Sequence, residues 1–291
     1  KDDITYSIDM VRLRLDFNAL EHIQQFGDWL SSPVHIHIEH YPLSSKAFSY
    51  RYLFRIKCSN DSSFVCGLGF NGTDRSSGWI GFLEFNPNKV VDTSEFWEFF
   101  KILGVHCPWA ELVRYDIAID VPVARSFCSL AKDKRKYTVV QNSAEDTTEY
   151  LGTHNKSGFC KLYNKKLESD LDHDLTRFEI TVNADLSYSE VIDLFPIIDV
   201  MEVQNDMIAH FSLTKTQVVL VDLLKRLPVT EQRYYFNRLG KDMRQKISPY
   251  VFASVDRFLL PQDVFAELTM QLRDYTIGVH YDTLDLAQKL L

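Results

Sequence analysis

The stretch from Asp174 to Glu190 constrains the fold most, because two different hydrophobic periods meet within it. Its first half alternates apolar and polar residues, the pattern of a β-strand that has one apolar face. The alternating apolar residues are Phe178, Ile180 and Val182. Ser187 stands three residues before Glu190, which is the spacing of a helix capping box. The stretch therefore predicts a strand that leads into a helix, with Tyr188 as the first helical residue.

The polar face of this predicted strand carries Arg177 and Glu179, since side chains two residues apart point the same way. One interpretation is structural: the two side chains form a surface pair, and Tyr188 packs at the start of a helix. The other is functional. A helix N-terminus favours anions, so a phosphate close to Tyr188 could meet backbone N–H groups while Glu179 helps to hold a metal ion.

A second alternating strand is predicted at Leu112–Val121, and its polar face carries an arginine and two carboxylates. These residues are Arg114, Asp116 and Asp120. Carboxylates that face one way can be solvated surface, or they can be hard oxygen ligands for a divalent ion. A further strand at Gly158–Lys165 places Lys161 and Tyr163 on one face. Three polar strand faces are thus predicted in one domain.

The rest of the chain predicts strands with a few helices up to about residue 187, and helices after it. Further strands are predicted at Ile4–Asp16, Val34–His40, Arg51–Cys58, Ser63–Phe70, Gly78–Phe85 and Thr148–Gly152. A helix capped by Asn18 is predicted to stop before Pro33. Further helices are predicted at Asp92–Leu103 with Gly104 as its end, and at Val191–Phe195, Val200–Phe211, Thr214–Leu227, Thr230–Lys246 and Gln262–Leu272.

These elements predict an α+β fold, with a central, largely antiparallel sheet that has helices on one face and a polar catalytic face on the other. The segments Val11–Asp16 and 113–118 resemble each other, so a duplicated strand-helix-strand unit is one interpretation. We expect residues 1–190 to form a catalytic domain. Residues 191–291 are expected to form a helical region for DNA recognition or oligomerisation.

Composition limits the classes of function. The chain has 291 residues, 45% of them hydrophobic and 25% charged, which is typical of a globular protein. A net charge of −8 argues against broad attraction to duplex nucleic acid, so DNA binding would need local basic patches. The sequence indicates neither a membrane span nor a secretory signal. Five widely spaced cysteines without a C-x-x-C motif favour reduced thiols and a cytoplasmic protein.

Three successive segments and the strand at 177–180 resemble the blocks of the Rep_trans family, the rolling-circle replication initiators of plasmids, with related phage proteins and conjugative relaxases. The segments are Val-Arg-Tyr-Asp-Ile-Ala-Ile-Asp at 113–120, Tyr-Leu-Gly-Thr at 150–153, Lys-Leu-Tyr-Asn-Lys-Lys-Leu-Glu at 161–168 and Arg-Phe-Glu-Ile at 177–180. They occur in the family's order and cover roughly residues 110–190.

The resemblance implies an enzyme that nicks and rejoins one DNA strand at an origin through a covalent 5′-phosphotyrosine. Tyr188 matches the family's tyrosine, and Tyr150 and Tyr163 are lesser candidates. Lys161 and Arg177 would be catalytic. A divalent ion, Mg²⁺ or Mn²⁺, can polarise phosphoryl oxygens, and its expected ligands are Asp116, Glu179 and Asp120. The expected DNA-binding residues are Arg114, Lys165, Arg238, Lys241 and Arg244.

Origin DNA is then the main partner, a host helicase is expected, and a homodimer is compatible with the sequence. Three alternatives stay open. The chain could be a conjugative relaxase of the same chemistry or a DNA-binding relative without catalysis. It could also be a metal-dependent hydrolase, because His35 and His37 share a predicted strand face with Glu39, an arrangement that a transition metal accepts.

Overall fold

The architecture is taken from a computed structural model of the chain. It describes residues 4–17, 20–32, 38–42, 50–70, 79–143, 145–200, 213–227, 229–251 and 260–277. These residues form a mixed α+β protein with a large antiparallel sheet, which confirms the predicted fold class. Among the described residues, no helix is both long and apolar enough to cross a membrane.

The strands are β1 (Thr5–Phe17), β2 (Ile38–Pro42), β3 (Tyr50–Lys57), β4 (Ser63–Phe70), β5 (Trp79–Phe85), β6 (Trp109–Val121), β7 (Cys128–Leu130), β8 (Tyr137–Gln141), β9 (Thr147–Leu151), β10 (Cys160–Asn164), β11 (Thr176–Asn183) and β12 (Ile198–Val200). The helices are α1 (Leu20–Leu30), α2 (Pro87–Val90), α3 (Ser94–His106), α4 (Lys165–Ser169), α5 (Tyr188–Leu194), α6 (Lys215–Lys225), α7 (Val229–Phe236), α8 (Lys241–Val251) and α9 (Gln262–Gln271).

The chain divides into two compact units. The first unit comprises Tyr6–Ala118, Thr181–Val191 and Pro261–Leu291, and the second comprises Lys1–Thr5, Ile119–Ile180 and Ile192–Leu260. Strands β6 and β11 contribute residues to both. The predicted boundary at residue 190, between a catalytic domain and a helical region, stays a prediction.

In the first unit the strand order is β2-β3-β4-β5-β1-β6, and the pairs from β2 to β1 are antiparallel. Alternate residues of β1, among them Leu13 and Leu15, are buried. Helices α1 and α3 pack together through aromatic rings, with the centroids of Phe26 and Phe99 5.7 Å apart. The ring centroid of Phe64, in β4, is 5.0 Å from that of Phe99. Burial of each such side chain stabilises the fold by about 1.5–3 kcal/mol.

In the second unit the order β6-β11-β10-β9-β8 has antiparallel pairs from β11 to β8. The first unit, read outward from β1, has the order β1-β5-β4-β3-β2. The strands β1 and β6 have 13 residues each. Each pairs with the last strand of the antiparallel series that follows it: β1 with β5, and β6 with β11. A helix follows β1, whereas a 3-10 turn at Arg125–Phe127 follows β6. The repeated pattern is therefore a strand plus a meander rather than strand-helix-strand.

The helices of residues 213–251 have a small core of their own. The buried residues of this helical cluster are Leu213, Val221, Leu224, Ile247 and Val251. Phe236 and Leu239 pack against it from the end of α7 and the turn that follows. Thr214 and Gln217 form a complete capping box at the start of α6, which fixes where this helix begins.

Several predicted boundaries were wrong. Helix α3 continues through Gly104 to His106 and ends at Cys107, because the residue before Pro108 is driven into an extended conformation. The predicted helix Thr230–Lys246 is broken into α7 and α8 at 237–240, where Gly240 disfavours a continuous helix. The strand β8 was missed within a basic loop, because most of its side chains are exposed and carry no alternation.

Other predictions lie outside the described residues. These are the helix Val200–Phe211 beyond residue 200, and the histidines of the proposed metal trio, His35 and His37. Glu39 lies in β2, but its side chain is outside the described part. The five cysteines are free, which agrees with the reduced thiols expected from their spacing, and all five are buried.

The outer face of the first unit has one close approach that demands glycine. Gly67 of β4 lies opposite Phe82 of β5, and a Cβ at this position would lie 2.1 Å from Cε1 of the Phe82 ring. The Arg12 guanidinium lies 4.2 Å from the centroid of that ring and donates to Glu84 at 3.0 Å. The Phe82 ring therefore packs on the backbone of Gly67, and the Arg12 guanidinium lies close to the same ring.

We expect Gly67→Ala to destabilise the protein by about 1–3 kcal/mol, because the added methyl group must displace the Phe82 ring. The matched control is Gly27→Ala in α1, where the nearest atom would be 3.9 Å away. That change should be stabilising by about 0.5–1 kcal/mol, since alanine favours a helix over glycine. Denaturant unfolding of both variants checks this, and equal effects would contradict the close approach.

Candidate active site

The segments singled out by the family resemblance lie on adjacent strands. β6, β11, β10 and β9 are hydrogen-bonded neighbours in this order. Lys161 of β10 lies opposite Glu179 of β11 on one side and Tyr150 of β9 on the other. The intervening residues Cys160, Leu162, Phe178 and Ile180 are buried. The second unit therefore has one polar face, as predicted from the alternation in sequence.

Arg177 is held on this face by a two-pronged ion pair with Asp120. Its Nε and Nη2 atoms donate to Asp120 Oδ1 and Oδ2, both at 2.6 Å. The two side chains are 11% and 13% exposed. A guanidinium and a carboxylate in this geometry form a strong, directional pair, and little water competes with it. Both oxygens of Asp120 are thus engaged by a cation of the protein.

Glu179 accepts a short hydrogen bond from Tyr163, with 2.6 Å between Tyr163 Oη and Glu179 Oε1. The ammonium of Lys161 is 3.7 Å from Glu179 Oε2 and lies 3.8 Å from the centroid of the Tyr163 ring. Burial, and then the negative charge of Glu179, raise the pKa of Tyr163 far above its usual value. The phenol of Tyr163 is consequently protonated at neutral pH and acts as a donor, not as a phenolate.

Lys161 is accessible on this polar face, with 30% of its side chain exposed. Lys165, at the start of α4, pairs with Glu168 and lies 6.0 Å from the Tyr163 ring. Tyr150 is half-buried, and its ring stacks on Phe159 at 6.0 Å. Lys161, Lys165, Arg177, Asp120 and Glu179 are thus brought into the same unit.

Tyr188 belongs to the first unit and is the first residue of α5, as predicted. Its ring packs against Phe265 of α9, with centroids 5.4 Å apart. Burial and the charge of Asp263 raise its pKa. The carboxylate of Glu190 accepts from the Ser187 backbone N–H at 2.7 Å and from its hydroxyl at 2.6 Å. An anionic carboxylate thus occupies the first turn, where the phosphate was expected to bind.

Arg114 and Asp116 also lie in the first unit, on β6. Nη2 of Arg114 is 3.5 Å from Glu84 Oε2, the carboxylate that also receives Arg12. Two guanidinium groups therefore share one carboxylate on the outer face of this unit. Asp116 is half-buried.

A metal site needs several ligand side chains that converge on one point. Within the described ranges, no group of three or more His, Cys, Asp and Glu side chains is placed to hold a metal ion. Asp120 is bound by Arg177, and Glu179 by Tyr163 and Lys161. Hard cations need carboxylate oxygens that are available as ligands. An ion could bind Asp120 or Glu179 only by displacing these partners, and the expected Mg²⁺ or Mn²⁺ site stays a prediction.

The sequence interpretation missed a buried cluster on the opposite side of this sheet. Glu149 of β9 pairs with Arg125 at 2.6 Å and accepts from Tyr137 at 2.7 Å and from the Leu130 backbone N–H at 2.9 Å. Arg125 is only 2% exposed. In sequence, Glu149 could have been found by its place two residues before the apolar Leu151, which puts a carboxylate on the buried face.

The expected DNA-binding residues Arg238, Lys241 and Arg244 lie in the helical cluster. Arg238 and Lys241 are exposed, and Arg244 is half-buried. Between residues 229 and 246 there are five basic and two acidic side chains, in a protein of net charge −8. This part of the helical cluster is thus a local basic patch of the kind that the composition required.

Of three comparisons with known proteins, the search of solved structures gave a match. A scan against family models found none that matches, and a search of curated proteins likewise found no match. Among solved structures, the chain is similar to one described as the rolling circle replication initiator protein from Geobacillus stearothermophilus. The two share 14% identity with a TM-score of 0.36, over 77% of this chain and 85% of that one.

The pair of Asp120 and Arg177 gives a prediction for stability. Asp120→Ala should destabilise the protein by about 3–5 kcal/mol, because Arg177 is left buried without its carboxylate. The control, Asp174→Ala, removes the exposed partner of Lys166 and should cost less than about 1 kcal/mol. Denaturant unfolding measures both. A similar small loss in both variants would show that the Asp120 pair contributes no more than a surface pair.

Tyr163 gives a prediction for alkaline pH. Its folded pKa is raised above the usual value of 10.0, so its contribution to stability is complete below that pH and is lost as pH rises through the folded pKa. Tyr163→Phe should be less stable at pH 8 by about 1.5–3 kcal/mol, the worth of a hydrogen bond to a charged group. Above pH 10 its stability should fall less steeply, by about 1.4 kcal/mol per pH unit.

Unfolding free energies of the parent and Tyr163→Phe, measured from pH 8 to strongly alkaline pH, check this expectation. Parallel curves above pH 10 would mean that the phenol of Tyr163 titrates alike in the folded and unfolded chain. The hydrogen bond to Glu179 would then have no influence on its proton.

Proposed function

We propose that this protein nicks and rejoins one DNA strand at an origin and so initiates rolling-circle replication. The observation that carries the proposal is the placement of the family-like segments on the adjacent strands β6, β11, β10 and β9. Segments separated by up to about 60 residues of sequence contribute to one polar sheet face, with Lys161, Arg177 and Glu179 at its centre. A shared face is what a common chemical task requires of these segments.

Lys161 is proposed to receive the scissile phosphate. Its ammonium group is partly exposed and lies at the longer end of ion-pair distance from Glu179, so an incoming phosphate can compete for it. A point charge of this kind stabilises the negative charge that develops on phosphoryl oxygens. Arg177, held by both oxygens of Asp120, is proposed as a positioning residue that keeps the strands β6 and β11 in register.

Tyr188 is proposed as the nucleophile, on its match to the tyrosine of the family. Tyr188 Oη would bond to the phosphorus at the cleavage site while the bond from phosphorus to the 3′ oxygen breaks. The phenol gives up its proton, and the 3′ oxygen takes one up to become a hydroxyl. The reverse transfer rejoins the strand. Its raised pKa means that the proton must leave during attack, because the phenolate is scarce at neutral pH.

The expected divalent ion stays a prediction, and no step of the proposed reaction depends on it. An ion that did bind would supply charge to polarise the phosphoryl group. Origin DNA is the proposed partner, with Arg238, Lys241 and Arg244 as phosphate contacts that position the protein. The helicase and the homodimer remain predictions.

A DNA-binding protein without catalysis is the second candidate, and one observation favours it. The ionisable groups of the polar face are paired with one another inside the protein, as Arg177 is with Asp120 and Tyr163 with Glu179. Such pairing is also what a structural network requires. Covalent attachment to DNA separates the two candidates, because only a strand transferase forms it.

The decisive measurement is covalent capture of a 5′-phosphorylated DNA end on supercoiled origin-containing DNA. Tyr188→Phe should abolish both the nick and the covalent product, whereas DNA binding should persist. Because the variant keeps the ring that packs on Phe265, stability should change by about 1 kcal/mol or less. Circular dichroism and thermal unfolding verify that the variant is folded.

Matched controls are Tyr150→Phe and Tyr163→Phe, which remove the other two candidate hydroxyls. Both should still form the covalent product. If Tyr188→Phe is captured as the parent is, and Tyr150→Phe is not, the nucleophile lies on β9 and the assignment to Tyr188 is wrong. If the parent binds origin DNA but forms no covalent product, the protein is the binding-only relative.

A further inference from the structure

We infer that α7 and the turn that follows it form a stacking site for unpaired bases of single-stranded DNA. The site consists of Tyr234, Tyr235 and Arg238, and we call it the stacking site. The inference rests on the proposed function only for the choice of DNA as the nucleic acid. It goes beyond the phosphate contacts proposed above, to which Arg238 also belongs, because the two tyrosine rings would contact bases rather than the backbone.

The first observation is the exposure of two adjacent aromatic rings. Tyr234 is 52% and Tyr235 is 49% exposed. The next residue, Phe236, turns into the helical cluster and packs against its core, so the helix is anchored on one side and presents the tyrosines on the other. Aromatic side chains of this size usually bury most of their surface. Because both Tyr234 and Tyr235 leave about half of their surface exposed, together they form a surface at which a ligand can bind.

The second observation is the geometry of the rings. The centroids of Tyr234 and Tyr235 are 5.2 Å apart, with their planes at 90°. Arg238 places the carbon of its guanidinium 3.4 Å from the centroid of Tyr234 and donates from Nη1 to the Tyr234 carbonyl at 3.3 Å. A guanidinium thus lies over one ring, and the second ring is perpendicular to the first. Bases stack well on both aromatic and guanidinium planes.

The third observation is charge. The stacking site lies within residues 229–246, where basic side chains outnumber acidic ones by five to two in a protein of net charge −8. Arg233 and Lys241 flank the stacking site in sequence, and both are exposed. Aromatic rings interleaved with basic residues are complementary to a strand whose phosphates are negative and whose bases are unstacked. An acidic peptide would satisfy the charges but would leave the exposed rings without planar partners.

The test uses the full-length protein and two fluorescent probes of about twelve nucleotides, one of oligo-dT and one of the same length without bases. Both carry the same phosphate charge. The parent should bind oligo-dT more tightly than the abasic strand in fluorescence anisotropy. Tyr234→Ala with Tyr235→Ala should lose about 5- to 150-fold in affinity for oligo-dT per base unstacked, and should then bind both probes alike.

Two controls make the test specific. Tyr234→Phe with Tyr235→Phe keeps both rings and should bind oligo-dT as the parent does. Leu223→Ala removes another exposed apolar side chain, on α6, and should change nothing. The stacking contribution should also persist as salt is raised, whereas contacts from lysine and arginine to phosphate weaken.

The inference is overturned if the double alanine variant binds oligo-dT as tightly as the parent, or if the parent does not distinguish the two probes. It is overturned as well if the phenylalanine variant loses as much affinity as the alanine variant. Failure of the proposed function has a different signature, because a protein that binds oligo-dT through these rings but forms no covalent product would still have the stacking site.

Discussion

The buried guanidinium of Arg125 is the interaction on which the second unit depends. Its Nε donates to the Thr147 carbonyl at 2.9 Å, Nη1 to the Cys128 carbonyl at 2.5 Å and Nη2 to Glu149 at 2.6 Å. Breaking a buried pair of this kind typically costs several kcal/mol, because the remaining charge is left without a partner. Glu149 in turn accepts from Leu130 and Tyr137. One charged pair thus ties β7, β8 and β9 together and supports the sheet whose other face is the candidate site.

The two faces of this sheet use charge differently. On the buried face, Arg125 and Glu149 are locked by backbone partners and are out of reach of a substrate. On the polar face, Arg177 is equally constrained by Asp120, but the ammonium of Lys161 is partly exposed and only loosely paired. The proposed reaction needs this difference, because a phosphate can recruit a cation only where the existing pair is weak. The ion pairs of Arg125 and Arg177 position the strands, whereas the weaker pair of Lys161 with Glu179 leaves Lys161 available to a phosphate.

The sequence predicted the strands of the site well, because alternation survives wherever one face is buried. Leu162 and Phe178 are buried and Lys161 and Glu179 lie on the opposite face, as the period of two requires. Prediction from the sequence failed where two local signals disagree or where a signal is missing. Gly104 suggested a helix end, but Pro108 decides it, and β8 shows no alternation because it is largely exposed. Pairing between distant side chains, such as Glu149 with Arg125, has no local signal at all.

The separation along the chain between Asp120 and Arg177 has a consequence for how the molecule forms. These residues are 57 positions apart, whereas the strands β8 to β11 join their neighbours through short connections. Local pairings form quickly, and a contact across a long loop must first overcome the entropy of closing it. The meander β8–β11 can therefore assemble early, while the ion pair forms only once β11 reaches β6. During synthesis on a ribosome, the candidate site would be completed late, after most of the second meander has emerged.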